Sequence, residues 1–526
     1  MRSLAALLLL TTTAFATERL PAPRQADAAT LKSALEGCKV THPRGDPCFN
    51  LQLALSAALL RDGDAPAASQ VADRAGRDVQ QTWADADDVY ISAQSRAGRP
   101  GATDADKAAY ARATAEWRRL WIDQAVAAEA QGAADVARGF HRGARQAFSQ
   151  AASIRKEYGD GPANRDARIR AAASAAVALA GAESVAEGEA ELRPVLAEAE
   201  QVHGPTHPLT AGITLDLADL LAQRTAYAEA DTLYARARTA LRRDPVAAIE
   251  ADARYTRFLV RADRKREAEP LARDILARLL AARADQGRVA TAYLDLAAIV
   301  PLADALPLAK QGAALRTARF GEKHVETARA NIAVARLMER YGRHAEAEAL
   351  RRPALIQIQA ANFIEHPETA TAYLELGENL IQQGRPKDAV YICRTALRGF
   401  DASAGRDSAG AARAALLLAM AVFATGSEDP RPLTARAMPV IRTNLAPTHV
   451  ERVQAEFIVA MMLYYAERDV AGALRQMRIV TSAGLERARS YPDFGPEAQR
   501  EMREMAPAFA AHVRFAWETS RLTAGN

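Results

Sequence analysis

The 526-residue chain has little that would mark a catalytic or nucleic-acid-binding protein. Its 68 basic and 64 acidic residues give a net charge of only +4, so bulk charge favours neither a nucleic acid nor an anionic membrane as partner. The chain also lacks the phosphate-binding, dinucleotide-binding, zinc-protease and nucleophile-elbow motifs, and it has no C-x-x-C pair. We therefore predict a protein that is not an enzyme and that uses no cofactor or metal.

Aromatic residues are also scarce, at 6% of the chain, although 49% of the residues are hydrophobic. An interior built largely from alanine and leucine favours close-packed helices over sheets. The length exceeds what one compact core accommodates, so the chain forms either several domains or one long repetitive array. We predict an all-α fold.

The chain has only three cysteines. Cys38 and Cys48 bracket a loop rich in turn-forming residues, and we predict that they form a disulfide in an oxidising compartment. A metal site that uses His42 is the alternative. Cys393 lies on the apolar face of a predicted helix, where we expect it to be packed in the core.

The N-terminus has the pattern of a secretory signal peptide at residues 1–16. A basic start precedes the apolar run Leu4 to Leu10, and Ala14-Phe15-Ala16 provides a cleavage site. A membrane anchor is the alternative, but the run is shorter than the roughly 20 residues of a spanning helix, and no later run is long enough either. Only eight of the basic residues are lysine, which together with the abundant alanine suggests a GC-rich bacterial genome. We predict a bacterial protein that is periplasmic or secreted, without membrane insertion after signal removal.

The rest of the chain contains an internal repeat. The segments Thr214–Ala237 and Tyr373–Ala396 align without gaps, and a third copy runs from Asn331 to Ala354. A small residue early in the second helix of each copy recurs at intervals of 42 residues in the C-terminal half, which indicates about eight units. Its positions are Ala190, Ala230, Ala268, Ala305, Ala347, Ala389, Arg431 and Ala473, of which Arg431 departs from the pattern.

The spacing has a physical reason. Two antiparallel helices approach within about 8 to 10 Å only where the crossing residues are small, so Ala218 is expected to face Ala230 and Gly377 to face Ala389. Glycine at position 384 ends the first helix in a left-handed turn. Thr256 replaces the small crossing residue in one unit, where we expect irregular packing.

The pattern resembles the tetratricopeptide repeat, and its 42-residue period resembles the kinesin light chain type. The residues that carry the resemblance in one copy are Leu376, Gly377, Leu380, Gly384, Ala389, Cys393 and Ala396. The resemblance implies a right-handed α-solenoid of tetratricopeptide-like helical hairpins. We assign residues 161–485 to this array, 17–160 to an N-terminal helical region of possible degenerate repeats, and 486–526 to a C-terminal capping helix and tail.

The resemblance also implies a binding surface. In such arrays the first helix of each unit lines a concave groove that holds a protein or peptide. We therefore predict an exported scaffold for protein–protein interaction, with an acidic or carboxylate-bearing partner. The groove positions of this family fall on Asp219 and Gln223, and in the C-terminal half on Arg329, Arg336, Arg340, Glu378, Gln382, Arg413, Met420, Phe423, Met462 and Tyr465.

Other functions remain open at this stage. An enzyme, or an obligate enzyme subunit, would use the acids Asp85, Asp87 and Asp88 with His141 in the N-terminal region. Trp117 and Trp121 form either a core plug or a ligand platform.

The residues near the chain end and in the linkers also have alternative interpretations. The predicted C-terminal helix, kinked at Pro507, caps the last repeat with a face that includes Val513 and Phe515, or else it docks a partner. End-to-end self-assembly is a further alternative, which such a cap opposes. Four histidines recur in the linkers, which favours a capping or packing role over a catalytic one: His207, His324, His366 and His449.

Overall fold

The computed structural model describes residues 27–41, 48–182, 185–224, 226–262, 264–362, 366–403, 405–490, 499, 501–503 and 505–524. The predicted signal peptide and the loop that contains His42 lie outside these residues. Within them the chain forms 22 helices and no strand. The fold is all-α, a solenoid in which successive helices pair as tetratricopeptide-like hairpins.

The chain divides into two compact units, Met1–Glu368 and Thr369–Asn526. The first unit contains α1 (Ala28–Thr41), α2 (Phe49–Arg61), α3 (Ala65–Ala97), α4 (Asp104–Ala137), α5 (His141–Tyr158), α6 (Gly161–Ala182), α7 (Val185–His203), α8 (Pro208–Gln223), α9 (Tyr227–Leu241), α10 (Pro245–Arg261), α11 (Lys265–Ala281), α12 (Gln286–Ile299), α13 (Leu302–Phe320), α14 (Val325–Arg340) and α15 (His344–Ala361). The division falls within α16 (Pro367–Gln382). The second unit continues with α17 (Pro386–Ser403), α18 (Ala409–Thr425), α19 (Arg431–Asn444), α20 (Val450–Tyr465), α21 (Val470–Ser490) and α22 (Ala506–Ala524).

None of the helices in the described part of the chain combines the length and apolar character needed to cross a membrane.

Small residues lie at the helix crossings, as the repeat spacing predicts. Ala230, Ala268, Ala305, Ala347, Ala389 and Ala473 are each fully buried. Gly377 was expected to face Ala389, but its nearest neighbour is Cys393, one turn further along α17. A Cβ atom on Gly377 would lie 2.5 Å from the Cys393 Sγ, so no larger residue fits at that crossing without a shift. The close helix packing of the repeat is therefore set by side-chain size.

The crossing residue was predicted wrongly in two units. Ala190 is exposed, whereas Gly188 is buried, and a Cβ on Gly188 would lie 2.4 Å from the Cβ of Ala180. Gly188 lies 42 residues before Ala230, so the repeat period continues through this unit once Gly188 is taken as its marker. Arg431 is the first residue of α19, is exposed and pairs with Asp429, so it does not lie at a helix crossing.

The four linker histidines begin helices, which confirms their predicted capping role. In each, the ring Nδ1 accepts a hydrogen bond from the backbone N–H two residues later. The donor–acceptor distances are 3.2 Å at His207, 3.1 Å at His324, 3.1 Å at His366 and 3.3 Å at His449. A ring nitrogen thus takes the place of the serine or aspartate oxygen that usually occupies an N-cap.

Two of these histidines also contact turns of the N-terminal region. A Cβ on Gly63 would lie 3.0 Å from the ring of His324, and one on Gly139 would lie 2.7 Å from Nε2 of His366. Both glycines adopt positive φ, +82° and +74°, which other residues adopt only at a cost. Burial lowers the pKa of His366 to about 4, so its ring is neutral at pH 7. The first unit therefore folds so that N-terminal turns pack against linkers more than 200 residues later.

The N-terminal region is pinned by covalent and aromatic contacts. Cys38 and Cys48 form a disulfide between α1 and the start of α2, with their Cα atoms 5.9 Å apart. Trp117 stacks on Tyr90 with ring centroids 4.9 Å apart, and Trp121 stacks on Tyr158 at 4.7 Å. The rings thus join α3, α4 and α5, in agreement with the interpretation of the tryptophans as an inter-helix plug.

Candidate partner-binding surface

A cavity of about 360 Å³ opens in the first unit among three successive first helices, α6, α8 and α10. Its wall includes Asp219 and Gln223, which the resemblance placed on the groove. Other lining residues come from α9 and α10: Tyr234, Arg254, Arg257, Phe258 and Arg261. Two of the predicted groove positions, both on α8, therefore line this cavity.

A charged cluster forms one wall of this cavity. Arg254 on α10 donates to the Asp216 carboxylate at 2.8 Å and to the Asp219 carboxylate at 2.6 Å. The Tyr234 hydroxyl donates to the other oxygen of Asp219. The side chains of Arg254 and Asp216 are 10% and 8% exposed, so this pair is nearly removed from water. We call Asp216, Asp219, Tyr234 and Arg254 the charged cluster.

Burial and neighbouring charges shift the pKa values of residues in the charged cluster. Burial raises the pKa of Asp216, because a carboxylate is costly to hold away from water, and the Arg254 guanidinium opposes this rise. Burial together with the Asp219 carboxylate raises the pKa of Tyr234, which stays protonated and can donate. The cluster is internally compensated, and its role in the wall is to fix α8 and α10 relative to each other.

The rim of the cavity is basic and differs from the wall. Arg257 and Arg261 follow Arg254 at three and seven residues on α10, a spacing that lines them along one helix face. Arg257 lies 3.7 Å from two carboxylates, those of Glu250 and Asp295, which is too long for a hydrogen bond. Arg261 is exposed and forms no salt bridge among the residues that the structure describes.

Two repeats carry this same pair of arginines. Thr256 and Ala335 occupy equivalent crossing positions, so Arg257 corresponds to Arg336 and Arg261 to Arg340. All four arginines are exposed, and all lie in the first unit. We call Arg257, Arg261, Arg336 and Arg340 the basic strip. The repeat pattern alone does not single out the α10 pair, because Thr256 replaces the small crossing residue in that unit. Counting from Thr256 identifies both arginines.

Arg329 does not belong to this exposed surface. Its guanidinium forms ion pairs with both Glu326 and Glu368, and its side chain is 19% exposed. Burial alone would lower its pKa, but the two carboxylates raise it above the ordinary value. The prediction that Arg329 lies with Arg336 and Arg340 on the groove surface is therefore wrong for Arg329, whose charge holds α14 against the start of α16.

The predicted groove residues of the second unit form smaller contacts. Glu378 and Arg413 pair at 2.9 Å, and Arg413 also lies 3.5 Å from Glu451. Gln382 is exposed and Met420 is half-buried, as is Phe423, whose ring centroid is 6.5 Å from that of Tyr465.

Met462, which was also assigned to the groove of the second unit, is a core residue. Its side chain is 3% exposed, and its sulfur accepts from the Thr434 hydroxyl at 3.7 Å. The assignment was wrong because the residue after the crossing on α20 points into the packing with α19. Tyr465, by contrast, is 40% exposed.

The residues of the enzyme alternative are not brought together. The side chain of Arg138, three residues before His141, donates to Ser69 at 3.0 Å, which places the start of α5 beside Ser69 on α3. Asp85 lies 16 residues further along α3, about 24 Å from Ser69 along the helix axis, and is therefore distant from His141. No group of three or more His, Cys, Asp or Glu residues suited to a metal ion occurs in the described ranges. The acidic residues at positions 85–88 and His141 therefore form no common site.

The hairpin geometry, the small crossing residues and the period of 42 residues decide the repeat type. The repeats of this chain are tetratricopeptide-like. They resemble the kinesin light chain type in the length of the repeat and in its linkers. The first helices carry the basic strip and line the cavity.

Comparison with known proteins finds related architectures at low similarity. No protein-family model matches the chain, and no curated protein matches it. A Rap protein complexed with Competence and Sporulation Factor is 11% identical over 78% of this chain and 98% of that chain, with a TM-score of 0.42. The apo quorum sensor NprR from B. thuringiensis is 12% identical over 77% and 99%, with a TM-score of 0.37. A Podosopora anserina kinesin light chain protein with nearly identical TPR-like repeats is 18% identical over 41% and 99%, with a TM-score of 0.31. All these scores are below 0.5, and the repeat type rests on the helical geometry of the chain itself.

Proposed function

We propose that the protein is an exported scaffold that binds an acidic segment of a partner protein on the first-helix surface of its first unit. The observation that carries this proposal is the recurrence of an exposed arginine pair in two repeats, of which the pair on α10 lines the cavity among α6, α8 and α10. Arginine suits this role because its planar guanidinium makes two hydrogen bonds to one carboxylate. Repeated, exposed charges of one sign favour an extended ligand over a compact one.

The charged cluster supports this surface from behind. Arg254 is held by two carboxylates and cannot turn outward without leaving Asp216 unpaired. The cavity therefore keeps its shape while Arg257 and Arg261 remain at its rim. A pre-formed site of this kind binds with a smaller loss of conformational entropy.

We expect charge reversal in the basic strip to abolish partner capture. Variants Arg257→Glu/Arg261→Glu and Arg336→Glu/Arg340→Glu should each weaken capture at least about tenfold, because they replace attraction of an acidic segment by repulsion. Capture is measured by crosslinking pull-down from the soluble fraction of the source cells, followed by titration with the purified partner. Circular dichroism verifies that helicity is unchanged.

The matched control reverses two arginines on second helices, Arg273→Glu and Arg352→Glu. Their side chains are 52% and 49% exposed, and each pairs with a glutamate four residues earlier, so the change in net charge is the same. The control variant should capture the partner normally. Equal loss in both kinds of variant would show a general charge effect and would refute the assignment to the basic strip.

The proposal includes export to the periplasm or beyond. It is supported by the signal-peptide pattern at residues 1–16 and by the Cys38–Cys48 disulfide, since structural disulfides persist mainly in oxidising compartments. Mass spectrometry of the protein purified from its source should find a chain that begins at Thr17. A chain that retains residues 1–16 in the cytoplasmic fraction would exclude export.

A further inference from the structure

The last helix, α22, is fixed to the second unit by one of its faces. Phe515 is 1% exposed, and its ring stacks on Tyr464 with centroids 4.3 Å apart. The Tyr464 hydroxyl donates to the Glu518 carboxylate at 2.6 Å, and His512 shares a hydrogen bond of 2.9 Å with Thr481. This inner face closes the hairpin of α20 and α21, which is the capping role that the sequence predicts.

The outer face of the helix differs from the sequence prediction, however. Pro507 stands in the first turn of α22, where its missing N–H costs nothing. Residues 501–503 are also helical, and a turn at Met505 separates them from α22, so the helical segment is interrupted next to Pro507. Val513 was assigned to the capping face but is 71% exposed. Val513 therefore lies on the outer side of α22, away from the inner face.

The outer face of α22 is apolar. Ala506, Ala510, Val513 and Trp517 are all exposed, with Trp517 at 58%. Their spacing of four, three and four residues places them in one line along the helix, and we call them the terminal stripe. The last element of a repeat array needs a polar outer face to remain soluble, and an exposed apolar face there marks an interaction site.

Positive charge flanks the terminal stripe on one side. The Arg521 guanidinium lies over the Trp517 ring, 4.8 Å from its centroid, and forms no salt bridge within the described part of the chain. Arg514, on the same flank, is 55% exposed and pairs with Glu518 at 3.1 Å. The surface therefore combines the large aromatic ring of Trp517 with the Arg521 guanidinium, which forms no ion pair with a carboxylate among the described residues.

We propose that the terminal stripe docks an amphipathic helix of a partner protein, whose apolar face covers Val513 and Trp517 and whose acidic side chains meet Arg521. Ala506 and Ala510 are small enough to let a second helix approach within about 8 to 10 Å. Tryptophan and arginine are the residues that most often dominate such interfaces.

Charge complementarity selects an acidic helix over a second copy of this chain. In an antiparallel two-fold pair of α22 helices, each flank lies opposite the same flank of the other copy. Arg514 and Arg521 would then face two further arginines, a repulsive arrangement. An acidic helix instead supplies the carboxylates that Arg521 lacks.

The test uses the full chain and two fluorescent helical peptides that share a leucine and alanine face but carry either glutamate or lysine on their flanks. Anisotropy should show the glutamate peptide binding at least about tenfold more tightly than the lysine peptide. Trp517→Ala should weaken it by about tenfold or more, and Arg521→Glu should reverse the preference between the peptides. Tyr391→Ala, which removes a ring 65% exposed elsewhere in the second unit, is the control and should change nothing.

Two further measurements separate this surface from others. Sedimentation that shows a dimer of the wild type, lost in Trp517→Ala, would assign the terminal stripe to self-association and overturn the proposal. Equal affinity for both peptides, or binding unaffected by Trp517→Ala, would also overturn it. Peptide binding is also measured in an Arg257→Glu/Arg261→Glu background, which weakens any binding of the glutamate peptide at the basic strip. The loss caused by Trp517→Ala should persist in that background, which makes the result independent of the function proposed for the basic strip.

Discussion

Replacement of Arg254 by leucine should destabilise the first unit by about 3 to 5 kcal/mol, the cost of leaving a buried carboxylate without its partner. Asp216 is 8% exposed and would retain no guanidinium in the variant, while Asp219 is 37% exposed and would be partly rehydrated. Hydrogen exchange of α8 and α10 measures the effect locally, which suits a repeat array whose unfolding need not be two-state. Both helices should lose protection together.

The pH dependence of this loss has a defined sign. Burial raises the pKa of Asp216 in the folded chain, so the unfolded state binds fewer protons there, and the burial cost grows as pH rises. Without Arg254 this effect is uncompensated. The difference in stability between wild type and Arg254→Leu should therefore shrink as pH falls from 7 towards 4. A difference that is constant across this range would contradict the account of the charged cluster.

Two control variants isolate the buried pair. Arg257→Leu removes the exposed arginine one turn later, whose ion pairs are 3.7 Å long, and should cost less than about 1 kcal/mol. Adding Asp216→Leu to Arg254→Leu should recover much of the loss, because an apolar pair of similar size leaves no uncompensated charge. A large cost for Arg257→Leu would show that helix packing, and not the buried pair, determines the outcome.

A single methyl group at Gly188 should destabilise the first unit by about 2 to 3 kcal/mol. The added Cβ would lie 2.4 Å from the Cβ of Ala180 and 2.7 Å from the backbone oxygen of Ala176, so α6 and α7 must separate. Backbone atoms cannot rotate away as a flexible side chain can. Gly188→Ala should lower the midpoint of urea unfolding and the protection of both helices against exchange.

Gly212 provides a control of opposite sign. It lies within α8, and a Cβ there would meet nothing within 4 Å. Gly212→Ala should therefore stabilise by about 0.5 to 1 kcal/mol, since alanine loses less backbone entropy than glycine in a helix. Destabilisation by both substitutions would contradict the argument that the crossing at Gly188 is set by the distance between the helices.

The local features of this fold could be predicted from the sequence because their causes lie within one repeat. The buried alanines at crossings follow from the spacing, and the histidine caps follow from their recurrence before four of the first helices. The error at Ala190 was small, since Gly188 two residues earlier is an equally small residue. Local size and local hydrogen bonding suffice for such assignments.

The contacts that decide the candidate site are not local. Glu368, which forms an ion pair with Arg329, lies 39 residues further along the chain. Asp216, the buried partner of Arg254, lies 38 residues before it. In a chain with 68 basic and 64 acidic residues, periodicity does not determine which carboxylate reaches which arginine. Gly63 packs against His324 across a much longer stretch of chain. Which arginines are exposed at the surface therefore follows from the three-dimensional structure.

The most direct test of the proposed binding surface is photo-crosslinking from a single position on the cavity rim. A photoreactive amino acid at Gln223 should form a specific adduct with an acidic partner protein, and Arg257→Glu/Arg261→Glu should abolish that adduct. The same amino acid at Ile356, 68% exposed on the second helix α15, serves as the reference position. An adduct from Gln223 alone is the predicted result. A partner captured equally from both positions, or only from Ile356, would contradict binding at the first-helix surface.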